Sequence, residues 1–213
     1  MQALQKFARA VWAVPHSLKL ACAIYVALCT YFYFYEGYTA NTIFMMALAG
    51  VLIAVITLLT RRLLFATVFF AALVVLIAVT AWVKFEALTF SLHAWDFVFY
   101  RRSWSSVAEW WTGRPVAQAV TAGGLILLTL GSGLAWRLDV ARIARRYSAL
   151  CGLLMALVAY GAVWTRGERM HMQFNFPDWH VSNFLVSFQE TVAALWRGGL
   201  LESAPFSGSK PFD

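Results

Sequence analysis

Apolar residues fill five long stretches of this chain: Leu18 to Tyr35, Ile43 to Thr60, Leu63 to Val83, Val116 to Trp136 and Tyr147 to Thr165. Beyond Lys19 at the start of the first, none contains a charged residue. A helix needs roughly 20 residues to cross a hydrocarbon core about 30 Å thick, and these runs approach that length. In lipid the backbone must satisfy its own hydrogen bonds, which leaves helices or a closed barrel. The runs lack the period-two alternation of barrel strands. The pattern therefore predicts an all-α integral membrane protein with five transmembrane helices.

What lies between the runs sets the orientation. Arg61-Arg62 joins the second and third, and Arg137, Arg142, Arg145 and Arg146 crowd the connection between the fourth and fifth. Short loops rich in arginine stay cytoplasmic, which puts the N-terminus inside and the segment after the fifth run outside. The connection "EGYTAN" has no base and falls on the outer side, in agreement. The longer Lys84 to Pro115 segment carries Lys84, Arg101, Arg102 and Arg114. Alternation puts it outside all the same, because longer segments weigh less in the rule. Of the ten acids only Asp139 falls on the cytoplasmic side. The first run follows Lys6, Arg9 and Lys19 as a signal peptide core would, but it is too long and no small-x-small cleavage site follows, so it is read as a retained anchor.

Two outer segments keep a helical period without the length of a span. Tyr100, Trp104, Val107 and Trp111 share one face of a helix within residues 95 to 112, and Arg102, Ser105, Ser106 and Glu109 lie opposite. An aromatic face backed by a charged one suits the headgroup layer, with Tyr100, Trp104 and Trp111 as interfacial anchors and Gly113 and Pro115 as the stop. After residue 166, Val181, Phe184, Leu185, Phe188, Val192 and Leu195 recur at helical spacing. Asp178 is the expected cap there and Gly198-Gly199 the expected end. The last residues, "ESAPFSGSKPFD", read as a linker, so the polypeptide is expected to continue. The organisation is thus a five-span domain over residues 1 to 165 and an extracytoplasmic helix and linker over 166 to 213. Small residues mark expected helix seams: Ala119 and Gly123 in the fourth run, and Ser148, Gly152 and Ala156 in the fifth.

Composition adds scale to this picture. Charged residues make up 13% of the 213, hydrophobic ones 62%, and mean hydropathy is +0.68. The net charge of +7 is scattered between spans and forms no groove-binding face, so its partners are membrane phospholipids and not nucleic acid. Cys22, Cys29 and Cys151 sit inside apolar runs without a CxxC pair and read as small buried apolar residues. His171, Asp178 and His180 cluster in the tail at a spacing that fits no metal pattern. No nucleophile elbow, phosphate loop or dinucleotide fingerprint occurs. The chain holds no catalytic constellation, no metal and no cofactor of its own.

The segment "KFEALTFSLHAWDFVFYRRSW" gathers Lys84, Glu86, Asp96, Arg101 and Arg102 just past the third run. Two accounts fit these charges. One is anchoring, with arginines paired to lipid phosphates at a helix end. The other is a lipid-headgroup site, in which arginine forks a phosphate and a carboxylate engages the headgroup. Asp96, between Trp95 and Phe97, separates them, because anchoring does not need it.

With five spans, an outer tail and the pattern K-x-E-x-L-x-x-x-L-x-x-W-D-F (Lys84, Glu86, Leu88, Leu92, Trp95, Asp96, Phe97), the chain resembles the membrane portion of lipoteichoic acid synthase-like enzymes. These are sulfatase-like phosphoglycerol and phosphoethanolamine transferases of the alkaline phosphatase superfamily. The resemblance implies an extracytoplasmic catalytic domain in the same longer polypeptide, with a threonine nucleophile and a divalent metal. The present residues include neither. It also implies a bacterial cytoplasmic membrane location, and for this chain the role of membrane anchor and lipid-presenting domain. The competing expectation is a self-contained membrane subunit, either an assembly partner or a component of small-solute transport. Which headgroup and acceptor are used, and the oligomeric state, are not encoded in any motif here.

Overall fold

The computed structural model describes residues 14–36, 39–88, 92–96, 105, 109, 111–164 and 181–196. Among them the regular structure is helical and no strand occurs. The long helices are α1 (His16–Tyr35), α2 (Thr39–Thr60), α3 (Leu63–Leu88), α4 (Pro115–Leu138), α5 (Arg145–Trp164) and α6 (Val181–Trp196). Four helical segments are long and apolar enough to cross a membrane: His16–Tyr35, Thr42–Thr60, Leu63–Phe85 and Pro115–Leu138. Each expected run is thus helical over its described residues, and most of the helices extend a few residues beyond the run, since helical hydrogen bonding does not stop where hydrophobicity does. The 26 residues of α3 reach about 39 Å at 1.5 Å per residue, enough to carry Lys84 beyond an apolar core.

The helix α3 is the hub. It packs against α1, α2 and α4, and α6 rests on it. Its residues Ala66, Phe70, Val74, Ile77 and Ala81, three or four apart, meet Leu28 and Phe32 of α1 and Met45, Ala49 and Ile53 of α2 in one core. The most extensive interface joins α2 and α5. There a Cβ added to Gly152 would stand 3.2 Å from Ala54 Cβ, so the backbones approach through small residues.

The expected seams are placed only in part. On α5, Gly152 meets Ala54 of α2 as the spacing predicts and Ser148 is buried, but Ala156 is exposed and Ala159 is buried instead. On α4, Ala119 and Gly123 are exposed, while Ala117 and Gly124 turn inward, Gly124 beneath Leu76 of α3. Small residues on both sides of α4 make the wrong pair look equally good in sequence. The cysteines differ from expectation too: Cys22 and Cys151 are exposed on the bundle surface, where lipid meets thiols as readily as a core does. A π-helical turn at Leu127–Gly131 interrupts α4 without ending it.

One end of the bundle is closed by an arginine-rich clasp. The two-residue turn between α2 and α3 places Arg61 at φ 61°, a left-handed backbone that disfavours a side chain by about 1 kcal/mol. The Ile143 N–H donates to Arg61 O at 3.1 Å, which pins the α4–α5 connection onto that turn. Arg62 stacks over Trp136 at 4.0 Å and donates to the Trp136 carbonyl. Asp139, 3% exposed, accepts from the Phe65 N–H at 3.2 Å. A carboxylate there satisfies an orphan amide in the first turn of α3 and complements its dipole.

Candidate functional site

The opposite end carries the charged segment singled out in the sequence. Past the apolar part of α3, Lys84 Nζ meets Asp96 Oδ2 at 2.6 Å, with side chains only 11% and 16% exposed. The same Asp96 oxygen accepts the His93 N–H at 2.7 Å, and the Asp96 N–H donates to His93 O at 3.1 Å. Asp96 therefore closes the turn that contains it and fastens that turn to the end of α3. The His93 ring stacks on Trp95 with centroids 4.4 Å apart, and Leu92 and Ala94 point into the bundle.

This turn lies under α6. The Ala94 N–H donates to Ser187 Oγ at 2.8 Å, and the Ser187 hydroxyl donates to Phe184 O at 2.9 Å. A third element joins from α1: Glu36, 2% exposed, accepts the Ser182 N–H at 3.3 Å and the Ser182 hydroxyl. The carboxylate thus caps the first turn of α6 from 146 residues away in sequence, where helix ends favour negative charge. Together the end of α1, the end of α3 with its turn, and the start of α6 form a cap over the bundle.

The apolar stripe of α6 is divided: Val181, Phe184 and Leu185 pack on the bundle core, and the rest of it turns away. Val181, Ser187 and Thr191 are buried, whereas Phe188, Val192 and Leu195 are about half exposed. The contact face thus mixes apolar residues with Ser187 and Thr191, while Phe188, Val192 and Leu195 form an apolar face turned away from the protein.

The predicted site residues divide accordingly. Lys84 and Asp96 are brought together. Glu86 belongs to the last turns of α3, where only its backbone is described. Arg101, Arg102, Tyr100 and Trp104 lie outside the described residues, as do Asp178, His171, His180 and Gly198-Gly199. Trp111 is 40% exposed in a helical turn that ends at Gly113, and Gln118 Nε2 donates to the Trp111 and Thr112 carbonyls at 3.2 and 3.1 Å. Pro115 then opens α4, where its fixed φ suits the first helical position.

Glu36 and Asp139 were legible only as isolated acids at the edges of apolar runs. Their roles as caps for distant helices depend on tertiary proximity that spacing does not encode. Among the described residues no group of three potential metal ligands occurs. The arrangement fixes backbone and charge at this end of the bundle. Compared with protein-family models, curated proteins and solved structures, the chain matches none.

Proposed function

We propose that this chain is the membrane anchor and lipid-presenting domain of a sulfatase-like phospholipid headgroup transferase, acting on phosphoglycerol or phosphoethanolamine headgroups. Its catalytic domain, with the divalent metal, would follow in the same longer polypeptide. One observation carries the reading: the Lys84–Asp96 segment that bears the resemblance is closed on itself and bonded to α6, the helix that precedes the tail. A following domain would leave from a rigid cap beside its lipid donor, and confinement of enzyme and lipid to one surface raises their effective concentration.

In this reading α5, with 20 residues or about 30 Å, is a fifth span. The free apolar face of α6 enters the headgroup layer, as does the aromatic face of residues 95 to 112. The arginine loops face the cytoplasm of a bacterial cell and the cap faces outward. Asp96, already engaged by Lys84, positions the turn, and Arg101 and Arg102, which follow it in sequence, would receive the headgroup phosphate together with Glu86.

The test uses the full-length polypeptide in vesicles of phosphatidylglycerol and phosphatidylethanolamine, with diacylglycerol formation as readout. Diacylglycerol should accumulate from one of the two lipids. Asp96→Ala should slow it by at least about tenfold, since a small misplacement of a bound group is costly, while membrane insertion is unchanged. A coding frame that stops at Asp213, or no diacylglycerol from either lipid, contradicts the proposal.

A further inference from the structure

A cavity of about 450 Å³ opens in the half of the bundle nearest the arginine clasp. It exists because α5 packs along α2 and leaves a gap beside α1. Its floor is buried, with Ile53, Ala54 and Thr57 of α2 and Thr67 of α3. Its mouth is not: Val26 of α1 is 61% exposed and Tyr147 of α5 is 58% exposed, with Cys22 and Cys151 beside them. In a membrane such a gap opens sideways to lipid, and its volume lies within the roughly 300–1,000 Å³ of ligand sites.

Two further features say what fits it. The first is Ser148, which lines the cavity, is 5% exposed, and has no hydrogen-bond partner for its hydroxyl among the described residues. An unpaired buried hydroxyl is unfavourable, so a ligand acceptor there is rewarded. The second is charge. Arg142, Arg145 and Arg146 are exposed at the same end, and none forms an ion pair with a described carboxylate. Arg146 reaches the rim itself, with its guanidinium 4.9 Å over the ring of Tyr147.

The geometry points to a binding site for an anionic diacyl phospholipid of the leaflet on the arginine side. One acyl chain fills the cavity, the Ser148 hydroxyl donates to its ester carbonyl, and Arg145 and Arg146 hold the phosphate. The depths agree. Ser148 lies three residues below Arg145, about 4.5 Å, and Met155 at the inner wall lies about 10.5 Å deeper, the order phosphate, ester, chain. The inference needs the chain to span a membrane but not the headgroup-transfer reading, because this site lies at the end remote from the cap.

The test is native mass spectrometry of the full chain released from nanodiscs of dioleoyl-phosphatidylserine and dioleoyl-phosphatidylcholine in equal amounts. Phosphatidylserine is chosen because it is not a donor in the proposed transfer reaction. The wild type should retain one phosphatidylserine about 30-fold over phosphatidylcholine, since Arg145 and Arg146 each favour the lipid with a net negative charge. Cys151→Trp, at an exposed position on the rim, should abolish retention of both lipids by plugging the cavity. The double substitution Arg145→Gln and Arg146→Gln, at surface positions that do not bear on folding, should equalise the two. Equal retention by the wild type, or a serine-lipid preference that survives Cys151→Trp, overturns the site and leaves only nonspecific attraction of arginine to acidic membranes.

Discussion

Replacing Lys84 with methionine is expected to release the cap while leaving the bundle folded. The ion pair with Asp96 is 2.6 Å long and mostly buried, and removal of one partner strands a carboxylate that still holds the His93 amide. Breaking such a pair costs about 3 kcal/mol, a loss that the turn and α6 share because the Ala94 amide is bonded to Ser187. Hydrogen exchange at the Ala94 amide reads it directly and should accelerate by about 100-fold, the equivalent of that free energy for a local opening. Adding Asp96→Asn should recover most of the protection. The amide oxygen still accepts from His93 and no charge is left unpaired. An unchanged exchange rate in the single variant would show that the pair holds nothing.

The second large effect is expected at Gly152. The helices α2 and α5 meet there with only 3.2 Å between a notional Cβ and that of Ala54. Gly152→Leu forces the helices apart along their whole interface and should lower stability in detergent by about 2–3 kcal/mol, the range for overpacked cores. Backbones this close leave no flexible side chain to move aside. Gly161 on the same helix has open space around its Cβ position, so Gly161→Ala should change stability by less than about 0.5 kcal/mol. Equal effects at the two glycines would mean that α5 does not pack on α2 as described.

These two sites also show what the sequence encodes. The helices follow from apolar runs, since in lipid a long run has few alternatives, and the run boundaries lie within a few residues of α1, α2, α3, α4 and α5. Seam residues were only partly legible. Gly152 faces a neighbour and Gly123 does not, although both sit in small-residue patterns, because packing depends on which neighbour stands beside each face. For Lys84 and Asp96 the sequence located a charged cluster but not its pairing, as 12 residues and a turn separate them. Glu36 and Ser182 lie 146 residues apart, and nothing local links them. The apolar stripe of α6 divides, since Val181, Phe184 and Leu185 face the core while Phe188 and Val192 do not, and Ser187 and Thr191 are buried in their place. In a membrane an apolar face has two suitable environments, and pattern alone does not choose between them.

Everything proposed for this chain requires the cap and tail to lie on one face of the membrane and the arginine clasp on the other. The measurement is labelling of intact cells with a membrane-impermeant maleimide, in a chain whose Cys22, Cys29 and Cys151 are replaced by alanine. Glu109→Cys and Ser209→Cys should be labelled in intact cells, and Ala144→Cys only after the membrane is permeabilised. Labelling of Ala144→Cys in intact cells, with Glu109→Cys and Ser209→Cys protected, would contradict the orientation and the function built on it.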